Sequence, residues 1–91
     1  MGDWQVYIIL CSDDTLYTGT TTDVERRVAE HASGRGAKYF RGRSPREVVY
    51  VEGGHTRSSA LAREAAIRKL GREGKLRLAA STKDRPGRSK V

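Results

Sequence analysis

Glu64 is the residue whose placement most demands an explanation. On a helix its nearest neighbours are Ala60 and Leu61 one turn before it and Ile67 one turn after, so a carboxylate falls within a mostly apolar face. An unpaired carboxylate is costly to bury, and the physical expectation is a metal ion or a cationic partner. The ordinary alternative is a salt bridge to Arg68 at i+4. Arg27 and His31, themselves i, i+4 neighbours, project beside a Val24/Val28 stripe and should border the sheet that the stripe covers. Their ordinary alternatives are an arginine paired with Asp23 one turn back and a satisfied boundary histidine. Tyr7 and Tyr17 fall on two strand-like segments, where tyrosine is common for its own sake. They share a face only if an odd number of residues forms the intervening loop, and a three-residue loop over positions 12–14 satisfies that.

A second group lies in one loop. Arg35, Lys38, Arg41, Arg43 and Arg46 are interleaved with Tyr39 and Phe40, which combines phosphate-binding charge with flat surfaces for a base to stack on. Arg35, Lys38, Tyr39, Phe40, Arg41 and Arg43 are therefore the candidate nucleic-acid contacts, and the pattern favours single-stranded or distorted substrates. The alternative is a loop that is basic only for solubility.

The elements that must hold these residues are legible from period and punctuation. WQVYIIL (Trp4 to Leu10) and LYTGT (Leu16 to Thr20), separated by Ser12-Asp13-Asp14-Thr15, predict a β-hairpin. Asp23 caps a helix running to about Ser33, with Gly34 as its stop. The Gly- and Arg-rich stretch from Gly34 to Arg46 reads as a loop with one short helical turn, and Glu47 to Glu52 as a third strand. Thr56 or Ser58 caps a second helix from Ser59 to Leu70, ended by Gly71, with a short third helix at Arg72 to Ala79. The domain is thus residues 1–80, and residues 81–91 form a basic tail without an apolar face, expected to be flexible.

Composition narrows the partner. The 91 residues suffice for one core, and a net charge of +7 in so small a body is self-repulsive unless it attracts a polyanion. Nucleic acid is the first partner to expect; a membrane surface is not, because the arginines are spread over loops and two helices. One cysteine and two histidines cannot make an internal disulfide or the usual zinc set, and no apolar segment approaches a membrane span. A reducing, cytoplasmic setting is the expectation.

In order, Tyr7, Tyr17-Thr18-Gly19, Asp23-Val24-Glu25-Arg26-Arg27, His31 and Glu64 resemble the GIY-YIG nuclease family, specifically its small stand-alone bacterial members. The segments LYTGTTTDVERRVAEH, GRGAKYFRGR and VVYVE look like the hallmarks of that subgroup, and the match spans residues 4–78. The resemblance implies an α+β fold, with a small central antiparallel three-stranded sheet flanked by helices in the order ββαβα and a further C-terminal α. It also implies hydrolysis of phosphodiester bonds with a divalent metal, Mg²⁺ or Mn²⁺. Carried over by position, Glu64 holds the metal, Arg27 steadies the scissile phosphate, and Tyr7, Tyr17 and His31 complete the site. Tyr17 or Tyr7 is then the base or its relay, with His31 to accept the proton. Tyrosine's ordinary pKa is about 10, so such duty needs a nearby cation.

The sequence departs from the family letters at Gln5-Val6-Tyr7 and Tyr17-Thr18-Gly19, and an asparagine often found beside the histidine is Ala32. Many family nucleases also carry a module that selects the DNA, whereas here only a short basic tail follows Leu78. The expectation is a metal-dependent endonuclease acting on DNA ahead of RNA, at branched, nicked or single-stranded structures, in a setting such as DNA repair. The alternative is a non-catalytic domain that binds RNA or DNA.

Overall fold

The computed structural model of the protein describes residues 2–81 and 89–90. Strands β1 (Trp4–Cys11) and β2 (Leu16–Thr21) form an antiparallel hairpin. The Cys11 N–H donates to the Thr15 carbonyl and the Asp14 N–H to the Cys11 carbonyl, both at 2.9 Å, so the loop has the three residues expected. Asp14 sits at φ 66°, the left-handed position that closes such a loop and that aspartate tolerates. The register follows: Tyr7 faces Gly19 and Tyr17 faces Ile9, placing the two tyrosines one diagonal step apart on the same face.

Strand β3 (Pro45–His55) pairs antiparallel with the other side of β1 and outruns the predicted segment at both ends. Together these strands make the expected three-stranded sheet. A two-residue strand, β4 (Ser89–Lys90), adds to it opposite Glu47 and Val48, giving the order β2-β1-β3-β4. The expectation of a flexible tail falls chiefly on residues 82–88 and 91, which lie outside the described residues.

Helix α1 (Val24–Ala32) starts where Asp23 accepts the Arg26 N–H at 3.1 Å. Helix α2 (Arg57–Lys69) starts from a reciprocal capping box between Thr56 and Ser59. Gly71, at φ 70°, turns the chain directly into α3 (Gly71–Ala80). The short helical turn expected in the basic loop is a 3₁₀ turn at Lys38–Phe40.

Alternation along the strands divides the core in two. On one face Tyr7, Ile9, Cys11 and Val48 are covered by Val28 of α1 and by Phe40. On the other, Val6, Ile8, Leu16, Val49 and Tyr50 are covered by Ala60 and Ile67 of α2 and Ala79 of α3. Ala60 and Ile67 are fully buried, but Leu61 is 48% exposed, so the inward stripe of α2 is narrower than the sequence pattern suggests.

Among the described residues, the outer edge of β2 pairs with no strand. Its outward carbonyls are instead met by cations from α2 and α3, Arg68 donating to Thr18 at 3.3 Å and Lys75 to Leu16 at 3.2 Å, while Arg72 donates to the Asp14 carbonyl in the adjoining hairpin loop. Cations on an open edge keep another strand from adding there. At the far end of β3, Arg63 Nε donates to both Glu52 carboxylate oxygens, at 3.0 and 3.1 Å, Tyr50 Oη also donates to Glu52, and His55 Nε2 pairs with it at 2.6 Å, tying the strand to α2. Among the described residues no helix is long and apolar enough to cross a membrane.

Candidate active site

The hairpin register delivers Tyr7 and Tyr17 to the face that α1 covers, and α1 carries His31 one turn beyond Arg27. The three rings meet. Tyr7 Oη lies 3.0 Å from His31 Nε2, Tyr17 packs edge-on to His31 at 5.3 Å between centroids, and the tyrosine rings are 6.2 Å apart. Gly19 is what allows this closeness, because a Cβ there would stand 2.5 Å from Tyr7 Oη.

The hydrogen bonds assign the proton on His31. Its Nδ1 accepts the Ala37 N–H at 3.2 Å, so Nδ1 carries no proton and the ring's hydrogen sits on Nε2. His31 therefore donates to Tyr7 Oη. The expectation that His31 takes a proton from tyrosine is reversed, since a second ring proton would oppose the Ala37 N–H. Burial, reinforced by the positive charge of Arg27, pushes the His31 pKa down to about 4. Gly36 lies against the same ring, where a Cβ would come 2.0 Å from Nδ1.

The two phenols differ in surroundings. Tyr7 is 1% exposed, and burial pushes its pKa up, with the nearby Tyr17 adding to the effect and Arg27 opposing it. Tyr17 is half-buried. Burial raises its pKa as well, while Arg68 and Arg27 pull it back and Glu64 pushes it up. Arg27 does not pair with Asp23; its guanidinium bonds Glu30 at 2.9 Å on the next turn.

Glu64 approaches from α2, past the open edge of β2. Its side chain is 15% exposed and pairs with Arg68 at 2.6 Å, the salt bridge weighed from sequence. The Glu64 charge acts on both tyrosines, which places it within electrostatic reach of the ring cluster. Among the described residues no group of three or more His, Cys, Asp or Glu side chains gathers as a metal cage. A single, largely buried carboxylate fits a Mg²⁺-like ion, which keeps most of its waters, and does not fit a dehydrated site such as structural zinc.

The loop candidates separate. Tyr39 joins the ring cluster 5.1 Å from Tyr17, with Arg43 lying over its ring at 4.1 Å. Phe40 does not present a surface for a base: it is 6% exposed and stacks on His31 at 4.2 Å, so its role is to wall the histidine in. Arg43 also pairs with Asp13 at 3.0 Å, which offsets part of its charge. Lys38 and Arg41 are exposed, and Arg35 is exposed with Nε bonded to Ser33 Oγ at 3.2 Å. Two features escaped the sequence reading. One is Lys75, which lies on α3 beyond the Gly71 turn and reaches the β2 edge beside Arg68 only in the folded chain. The other is the Ala37 amide, a backbone donor that no side-chain pattern reports.

With this geometry in place, the comparisons are informative. The family profile described as GIY-YIG catalytic domain matches residues 3–77. A UPF0213 protein of Haloquadratum walsbyi is 58% identical over 80 residues, which is 87% of this chain and 90% of that protein. A UPF0213 protein of Clostridium perfringens is 47% identical over 76 residues, 84% of this chain and 82% of that protein. The solution NMR structure of a UPF0213 protein from Bacillus halodurans superposes with a TM-score of 0.56 at 40% identity, covering 90% of this chain and 87% of that one.

Proposed function

Because this chain belongs to the GIY-YIG catalytic domain family, a family of nucleases, we propose that it is a metal-dependent endonuclease cutting DNA at branched, nicked or single-stranded structures, with a place in DNA repair. The observation that carries the reading is the meeting of Tyr7, Tyr17 and His31 within the field of both Arg27 and Glu64. An isolated pair of strand tyrosines would need neither a guanidinium nor a carboxylate from separate helices.

Tyr17 is the base. It is the more accessible phenol, and the cations Arg68 and Arg27 favour its ionised form. It takes the proton of a water whose oxygen bonds to phosphorus as the bond from phosphorus to the leaving sugar oxygen breaks. Tyr7 is held by the His31 Nε2–H, which leaves its own hydroxyl hydrogen for a phosphate oxygen. Arg27 neutralises charge on the same group. Glu64 would hold Mg²⁺ or Mn²⁺ with water in the other positions, and the bound ion would supply Lewis-acid stabilisation of the phosphate charge. Arg68, paired with Glu64 and anchored on the Thr18 carbonyl, keeps a second guanidinium beside the same group.

The deciding experiment incubates the protein with labelled single-stranded, duplex and branched DNA and RNA, in Mg²⁺, Mn²⁺ or chelator, beside Glu64→Ala and Tyr17→Phe. Metal-dependent cutting that both variants lose is the expected result. The pairing of Glu64 with Arg68 favours a second reading, a binding domain without turnover. Metal-independent binding with no cleavage of any substrate would establish that reading instead.

A further inference from the structure

A groove of about 220 Å³ runs along the open edge of β2, lined by Leu16, Tyr17, Thr18, Tyr39, Arg68 and Lys75. Tyr17 belongs to both the groove and the ring cluster, so whatever lies here adjoins the candidate catalytic centre. Two cations, Arg68 and Lys75, line the groove, and Arg68 also pairs with Glu64 at 2.6 Å. Lys75 bonds the Leu16 carbonyl at 3.2 Å and has no carboxylate partner among the described residues. Burial pushes its pKa down and the charge of Arg68 adds to the effect, as expected where one cation stands near another. Thr18, 2% exposed, contributes a buried hydroxyl with no hydrogen-bond partner. Across the groove stands Tyr39, with the Arg43 guanidinium over its ring.

Resting on the nucleic-acid reading above, the geometry points to this groove as a subsite for one unpaired nucleotide beside the cut, its phosphate between Arg68 and Lys75 and its base stacked on Tyr39. A base held in a duplex stack cannot turn its face to Tyr39, whereas a single-stranded base can. The substrate class is therefore a duplex with a single-stranded flank at the cleavage point. The Leu16 and Thr18 carbonyls present the two cations at fixed positions, so the phosphate meets pre-placed charge and not freely moving side chains.

The test is equilibrium binding, in chelator, of fluorescein-labelled oligodeoxynucleotides: a blunt duplex, and the same duplex with a 3′ or a 5′ single-stranded extension. Wild type should prefer one extended duplex over the blunt one by about tenfold or more, the scale of one stacked base. Tyr39→Ala should collapse that ratio and Tyr39→Phe preserve it, because stacking needs the ring and not the hydroxyl. Lys75→Gln should lower the ratio and reduce the salt slope for the extended duplex by about 0.7, with Lys75→Arg restoring it. Thermal melting of each variant separates loss of the subsite from loss of the fold. A ratio near one in wild type, or a ratio that Tyr39→Ala and Lys75→Gln leave alone, overturns the subsite while leaving the nuclease reading standing. Failure of wild type to bind any of these oligonucleotides overturns both.

Discussion

His31 is the side chain whose protonation the surroundings fix most firmly, and two measurements follow from it. With a pKa of about 4 it is neutral across the neutral range, so cleavage should show no inflection near pH 6.5. The rate should instead climb toward alkaline pH as Tyr17, held above its ordinary value, begins to ionise; a kcat/KM profile of wild type against Tyr17→Phe checks this, the variant losing the alkaline rise. The second measurement is stability. The folded pKa lies below the unfolded value near 6.5, so the unfolded chain binds more protons between about pH 4 and 6.5. Stability is therefore full above pH 6.5 and falls as pH drops through that window, by up to roughly 3 kcal/mol from this residue. Glu30 and Glu52, whose pKa values lie below the ordinary range, add losses at the acid end. The difference between wild type and His31→Gln in urea denaturation at pH 7 and pH 5 isolates the histidine, and the variant should show the flatter dependence.

At the level of elements, α2 is the piece that joins the two halves of the site, and its N-terminus depends on a reciprocal bond. Thr56→Ala removes one partner of the capping box and should cost about 1 kcal/mol in a urea melt. Because Glu64 and Arg68 sit on the second and third turns of α2, fraying of its first turn should weaken metal-dependent cleavage only slightly. The elements themselves were largely written in the sequence. Period-two alternation marked the hairpin, and residues 12–14 fixed which face the tyrosines share. Asp23, Thr56 and Gly71 marked helix boundaries. Relations between distant segments were not legible. Phe40 read as a ring for a nucleic-acid base, yet it lies under His31, because only the folded loop brings the two within 4.2 Å. Lys75 carried no signal in the sequence, because its Nζ reaches back 59 positions to the Leu16 carbonyl.

At the scale of the whole molecule, six of the 18 Lys and Arg side chains stand on two stretches, the basic loop and the hairpin's open side. Arg35, Lys38 and Arg41 lie on the loop, and Arg68, Arg72 and Lys75 line the β2 edge. If about four of these meet phosphates, the logarithm of the duplex binding constant should fall with the logarithm of salt at a slope of roughly −3 to −4. A titration between low and moderate salt measures it, and a slope near zero would mean that the net charge of +7 serves something other than a polyanion. The same disposition explains why composition disclosed the partner class more readily than the substrate. Charge totals survive in a sequence, whereas the groove exists only once a strand edge, a loop and two helices come together.

The Ala37 amide can be removed without truncating any side chain of the site. Residue 37 has φ −66° and ψ 151°, the backbone angles that proline adopts of its own accord. Ala37→Pro removes the donor to His31 Nδ1 and puts the proline Cδ where the hydrogen was, well inside contact distance of that nitrogen, while the Ala37 carbonyl that receives the Phe40 N–H stays in place. The imidazole is then pushed aside and loses the donor that fixed its tautomer, and the His31 ¹⁵N chemical shifts should move from one fixed form to an average of two. Any residue except proline at this position supplies the amide. The ring's proton is thus inherited from the main chain and is indifferent to drift in the side chain that happens to stand there.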